Sequence, residues 1–167
     1  MSLASLAPSA VLGLLLLGAA LPAQTCGPFN ISTAVTGPGC APMGGGIPTL
    51  SAALGPSTPG ACSIPITFAP PPSISISPPP VFLAAGFGNP MLDLSAVGWP
   101  GCMLWCTLDV IVAVPPSGSP GLGYTATLTV VHDPALVGVS VFTQGMMLSG
   151  SPAVVRVALS NGLVISL

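Results

Sequence analysis

Apolar and polar residues alternate with a period of two along much of the chain. Cys62, Ile64, Ile66 and Phe68 share one parity, with Ser63, Pro65 and Thr67 between them. Leu122, Tyr124, Ala126, Leu128 and Val130 alternate with Thr125, Thr127 and Thr129, and Phe29, Ile31, Thr33 and Val35 repeat the pattern earlier. A period of two puts successive side chains on opposite faces of a strand, whereas an amphipathic helix needs apolar residues every three or four positions. Val81 to Ala85 is a continuous apolar run of strand length, and further strands are read at Ile47 to Leu54, Val139 to Leu148, Ala153 to Leu159 and Leu163 to Leu167.

The longest alternation starts at Cys102, where Cys102, Leu104, Cys106, Leu108, Val110 and Val112 occupy every even position. Leu92 to Val112 is accordingly read as the central strand of the fold with its entry turn at Pro100-Gly101. Pro65 has no N–H to give a ladder, which predicts that its strand lies at a sheet edge. Ser160-Asn161-Gly162 reads as a hairpin turn, since Asn and Gly both tolerate positive φ. His132-Asp133-Pro134 to Val137 reads as a corner or short helical turn. No segment has the pattern of a long helix, so the predicted fold class is all-β, an antiparallel β-sandwich of about eight short strands. The proline runs around Ser73 to Ser77 read as a stiffened extended crossover rather than a polyproline ligand.

Upstream, Val11 to Leu21 is a short apolar run followed by Leu21-Pro22-Ala23, the layout of a signal peptide over residues 1–23, although no Lys or Arg precedes the run. It is about half the roughly 20 residues that span a bilayer as a helix. Residues 24–39 are then a lead-in with one strand, 40–167 the β-sandwich domain, and the expected location is secreted or cell-surface, with no membrane span after cleavage. A transmembrane barrel would need longer strands and a polar lumen.

Charge is almost absent: Asp93, Asp109, Asp133 and Arg156 carry it, with His132 the single histidine. A lone arginine cannot neutralise a phosphate backbone, which excludes nucleic acid as a partner. At 51% hydrophobic residues the chain is also far from the composition of disorder. So little charge leaves little to oppose self-association.

Candidate chemistry is sparse. His132 and Asp133 are adjacent, a spacing that does not orient one on the other, and no nucleophile-elbow sequence occurs. A blue-copper site needs two histidines. Asp93 is assigned to capping its own turn, Arg156 to a salt bridge with Asp109 or Asp133, and Met146-Met147 to core filling. Trp99 and Trp105, with Tyr124, are the candidate platform for stacking a sugar. No cofactor, catalytic residue or metal ligand is expected.

Five cysteines remain to be placed. In one strand Cys102 and Cys106 would stand about 13 Å apart, against the roughly 5.5 Å a disulfide needs, so they take different partners. Cys62 and Cys106 both face the packed side, which makes them a candidate cross-core pair. The remaining three stay open at this point, since five cysteines allow about fifteen two-bridge arrangements. No CxxC occurs, and dispersed cysteines in an exported chain point to bridges before metal.

An ordered set of short motifs adds to this reading. Gly37-Pro38-Gly39-Cys40, Ile47-Pro48-Thr49-Leu50, Leu92-Asp93-Leu94, Gly98-Trp99-Pro100-Gly101-Cys102, Pro134-Ala135-Leu136-Val137-Gly138 with Gln144, and Ser160-Asn161-Gly162-Leu163 follow one another in the chain. Together they resemble an uncharacterised domain common in secreted planctomycete proteins, where it stands as a C-terminal module. The resemblance covers Cys40 to Leu167 and departs in Trp99, where Met is usual, in the proline-bracketed insertion and in the extra cysteines. It implies export, a sandwich fold and a Cys40 to Cys102 bridge, which with Cys62 to Cys106 leaves Cys26 over as a free thiol or an intermolecular link, and it implies no activity. The expected role is an exported noncatalytic structural or interaction module whose partner is a protein or glycan at the cell surface, or a second copy. The alternatives are a carbohydrate-binding module built on the tryptophans and, remotely, a hydrolase.

Overall fold

Cys62, Ile64, Ile66 and Phe68 are buried and the residues between them are not, so one face of this strand is turned inward along its whole length. The same rule builds the rest of the chain. The computed structural model describes residues 24–27, 29–41, 46–71, 79–117, 123–151 and 154–167. The segment read as a signal peptide and the crossover at 73–77 lie outside them. The strands are β1 (Gln24–Cys26), β2 (Phe29–Gly37), β3 (Thr49–Ala52), β4 (Ser57–Thr58), β5 (Ala61–Ala69), β6 (Val81–Gly86), β7 (Leu92–Asp93), β8 (Met103–Leu104), β9 (Val110–Val114), β10 (Tyr124–Val131), β11 (Ser140–Ser151) and β12 (Val154–Ser166).

Every pairing is antiparallel. A six-stranded sheet runs β1-β2-β12-β11-β6-β9, and a four-stranded sheet joins β10-β5-β3 with β4 on β5. Their facing sides make the core, in which Phe29, Ile31, Val81 and Ile165 of the larger sheet meet Leu50, Ile64 and Phe68 of the smaller. The architecture is all-β and sandwich-like, with open sheets rather than a closed barrel. Among the described residues no helix is long and apolar enough to cross a membrane.

Three expectations are overturned. Leu92 to Val112 is not a central strand. It forms the short hairpin β7–β8, a 3-10 turn at Ser95–Val97, and only at Val110 the strand β9, which lies at the edge of the large sheet. Leu108, Val110 and Val112 are exposed and Trp105 is buried, against the parity argument, while Cys102 and Cys106 are buried as it expects. Alternation over 102–112 reports two separate structures that happen to be in phase.

Pro65, in turn, lies in β5, which has neighbours on both sides. On the side of Pro65, β3 ends at Ala52 opposite Ile66 and β4 begins opposite Cys62. The Pro65 carbonyl accepts from Ala53 N–H (3.2 Å) on that same side. Its missing N–H therefore looks into the gap between β3 and β4, where no ladder partner is lost.

Nor is Ser160-Asn161-Gly162 a turn: β12 continues through it. The register shifts between Gln144 and Met146 on one neighbour and between Gly162 and Leu163 on the other, which is a bulge. The bulge puts the Asn161 amide against the backbone of Leu50 in the opposite sheet. Leu50 N–H donates to Asn161 Oδ1 (2.7 Å) and Asn161 Nδ2 donates to the Leu50 carbonyl (2.9 Å). A side chain thereby imitates a strand and ties one sheet to the other.

Because Leu50 is 3% exposed, Asn161→Ala leaves its N–H and carbonyl buried without partners. The expected loss is about 2 kcal/mol in chemical denaturation. Thr127→Ala on the exposed face of β10 should change stability by less than about 0.5 kcal/mol.

Candidate functional site

The chain leaves the large sheet after β6 and rejoins it at β9, and the intervening residues fold back as a flap over the outer face of that sheet. The neck of the flap is closed by polar groups. Thr107 N–H donates to the Gly88 carbonyl (2.9 Å), Gly88 N–H to Thr107 Oγ1 (3.1 Å), and both Phe87 N–H (3.0 Å) and Thr107 Oγ1 (2.9 Å) to Asp109 Oδ2. Further out, Asp93 Oδ1 accepts from the amide and hydroxyl of Ser95, and these bonds hold its carboxyl below the usual carboxylate range.

The underside of the flap is pinned by Gln144, a side chain 2% exposed on β11. Its Oε1 accepts from Trp105 N–H (3.0 Å), and its Nε2 donates to the carbonyls of Met103 (3.0 Å) and Ser160 (3.0 Å). Trp105 lies flat against Gly37 and Gly162, where any Cβ would collide with its side chain, and its Nε1–H donates to the Pro38 carbonyl (3.0 Å). A covalent tie completes the attachment: Cys40, bridged to strand β12 at Leu159, faces Cys102 of the flap with Cα atoms 5.3 Å apart.

Between flap and sheet lies an apolar pocket of about 190 Å3. Phe82, Met146 and Leu159 form its floor, Leu94, Trp99 and Leu104 its roof, and the exposed Leu108 and Ile111 its mouth. Pockets for drug-sized ligands run from about 300 Å3 upward, so this one has room for a large side chain and little more. Its one polar lining residue is Gln144, whose amide is already engaged.

The candidate sugar platform, weighed only as an alternative, is not assembled. Trp105 is 7% exposed and covers glycines, Tyr124 is buried with its hydroxyl donating to the Pro79 carbonyl, and Trp99 alone, half-buried, reaches the pocket. Arg156 is exposed on β12 opposite Ser149. The carboxylates assigned to it serve donors elsewhere, Asp109 at the neck and Asp133 at Ala135 N–H (2.9 Å). Met147 is buried core, while Met146 faces the pocket.

The cysteine pairing read from strand parity is also corrected. Cys62 faces Cys26, with Cα atoms 6.0 Å apart, and the buried Cys106 is the free thiol. The cause is the misread strand: Cys106 belongs to the flap, on the far side of the large sheet from β5. Beside Cys26 and Cys62 stands His132, its Nε2 3.8 Å and 3.1 Å from their sulfurs. Sequence spacing carried no sign of this cluster, because its members are 36 and 70 residues apart and meet only through the sheet registers.

No protein-family model matches the chain, and no curated protein or solved structure is significantly similar to it.

Two outcomes follow from the pinned flap. Gln144→Leu strips partners from the buried Trp105 N–H and two carbonyls, and should cost about 3 kcal/mol in denaturant unfolding, with a red shift of tryptophan emission as the flap loosens. Burial, with the Asp109 charge adding to it, pushes the Cys106 thiol up to about 11. At pH 8 only about a thousandth is thiolate, so a colorimetric thiol reagent should find almost no reactive thiol in the native protein and one per chain after unfolding. Since the folded thiol ionises at higher pH than the unfolded one, Cys106 favours the fold below pH 9, and this contribution is lost as pH rises towards about 11.

Proposed function

We propose that this chain is an exported, noncatalytic interaction module of the cell surface or extracellular space, and that it docks through the edge strand β9 and the pocket beside it. The observation that carries the reading is the exposure of Val110, Ile111 and Val112, at 55%, 53% and 42%, on a strand that ends its sheet. Edge strands are ordinarily guarded by lysine, proline or a bulge. Here the five residues Val110–Val114 contain none of these, and Asp109 and Pro115 only limit the strand's length.

Such an edge recruits an extended segment by main-chain hydrogen bonds, with side-chain pockets setting the choice. The occupant it fits best is β9 of a second copy. Antiparallel pairing about Val112 satisfies both edges at once in a two-fold dimer, and a chain with a formal net charge of only −2 raises little electrostatic barrier to it. Five residues a side place the contact among small, reversible interfaces. The noncatalytic reading is supported by the employment of the polar groups: Asp93, Asp109 and Asp133 each serve their own turn, and the pocket wall is apolar.

Sedimentation of the exported protein across a concentration series should show a reversible monomer–dimer equilibrium, and Val112→Lys should remain monomeric with an unchanged melting temperature. A wild-type chain that is monomeric at every concentration, or a dimer indifferent to Val112→Lys, contradicts the docking mode. Saturable glycan binding lost in Trp99→Ala would instead favour a carbohydrate-binding module.

A further inference from the structure

Cys26 ends β1, Cys62 opens β5, and His132 follows β10, so three segments distant in sequence deliver two sulfurs and an imidazole to one point. The registers fix this meeting. Val130 pairs with Cys62 and Val131 with Ala61, and His132 N–H then donates to the Gly60 carbonyl (2.9 Å), which brings the ring over the start of β5. Gly27, at φ +60°, takes a conformation other residues resist, and a Cβ there would stand 2.7 Å from the ring. Phe29 meets the imidazole edge-on at 6.2 Å. The backbone is thus shaped around the histidine, although a structural disulfide needs no imidazole beside it. The Cys40–Cys102 bridge shows the contrast, packed among Leu159, Leu94 and Trp99.

We propose that the Cys26–Cys62–His132 cluster, once its bridge is reduced, is a three-ligand site for a thiophilic divalent cation of the zinc class. Disulfide and metal complex are then mutually exclusive states of one site. Two thiolates and an imidazole are the donor set such ions prefer, and the two negative charges neutralise the ion in a setting where both sulfurs are buried. Tetrahedral zinc with Zn–S of about 2.3 Å and Zn–N of about 2.0 Å sets sulfur and nitrogen about 3.5 Å apart. In the bridged state the two sulfurs and a ring nitrogen already lie within 4.8 Å of one another, and opening the bridge frees the sulfurs to reach that spacing. His132 is half-buried, which leaves the cluster a route to solvent. Asp133 does not compete, since its carboxylate caps the turn at Ala135.

The redox step is balanced by a thiol or phosphine reductant. Two electrons and two protons convert the bridge to two thiols, and the cation then displaces both protons and binds the two thiolates and the neutral imidazole. Reduction in the absence of metal leaves the β1 end of the sheet tied only by its hydrogen bonds.

The test uses the exported protein, reduced with a phosphine and titrated with Co2+ as the probe. The expected result is thiolate-to-cobalt charge-transfer absorption that saturates at one ion per chain. It should vanish in Cys26→Ser, weaken at least about tenfold in affinity in His132→Ala, and persist in Cys106→Ser. Alkylation mapped by mass spectrometry should show cobalt protecting Cys26 and Cys62 but not Cys40 or Cys102. The proposal is overturned if the absorption is absent, if it is indifferent to His132→Ala, or if the reduced chain stays unfolded by circular dichroism in saturating cobalt. None of these readouts depends on the β9 docking surface.

Discussion

The buried amide of Gln144 is the contact on which the outer half of the molecule depends. It accepts from the flap at Trp105, donates to the flap at Met103 and donates to β12 at Ser160, so each polar atom of the side chain is used. A buried amide with all its partners costs little, and the same amide with one missing costs more than an apolar residue would. That asymmetry makes the position all-or-none: the flap is seated on the sheet in one arrangement or it is not seated. Seating then buries Trp105 over the glycines, aligns Cys102 with Cys40 and shapes the pocket.

The neighbouring residues extend the same device inward. Ser160 Oγ accepts from Gly145 N–H (2.8 Å) and donates to the Asn161 carbonyl (2.8 Å), closing the bulge on itself. Asn161 then reaches the opposite sheet at Leu50. Three consecutive features of β11 and β12, an amide, a hydroxyl and a second amide, thus join the flap, the large sheet and the small sheet. Among the described residues of this nearly uncharged chain no salt bridge gives the layers a register, and short-range amide bonds of fixed geometry supply it instead. Among the described residues, Thr143 Oγ1 on β11 and Thr36 Oγ1 on the neighbouring β2 are the buried side-chain polar atoms left without partners.

The strands with one buried face were legible in the sequence. The alternation in β5 and β10 needs only that one side of a strand be wet, and it identified their inward residues as well as their existence. The reading failed wherever a residue's environment was set by a distant partner. Cys102 to Val112 kept its period while the chain passed from flap to edge strand. Pro65 looked like an edge residue because the gap that accommodates it is made by β3 and β4. Asn161-Gly162 has turn chemistry, and the same tolerance for irregular backbone serves a bulge. Gln144 and Asn161 were visible as motif residues, but nothing local to them says that their amides face Trp105 and Leu50. The Cys26–Cys62–His132 cluster was equally silent, because the ladder registers that assemble it are a property of the whole sheet.

An edge strand without a further partner among the described residues, a pocket sized for one side chain and a covalently tethered flap support the reading of a module that joins other chains, with the polar groups reserved for holding its own layers together. The most direct test of this account is residue-resolved amide hydrogen exchange on the native protein. The amides of Trp105, Gly145 and Leu50 should be protected nearly as well as the core of β5, since each donates to a side chain of one junction. Exchange of Trp105 N–H at the rate of an open loop, while β5 stays protected, would show that the flap is not held by Gln144 and would contradict the account.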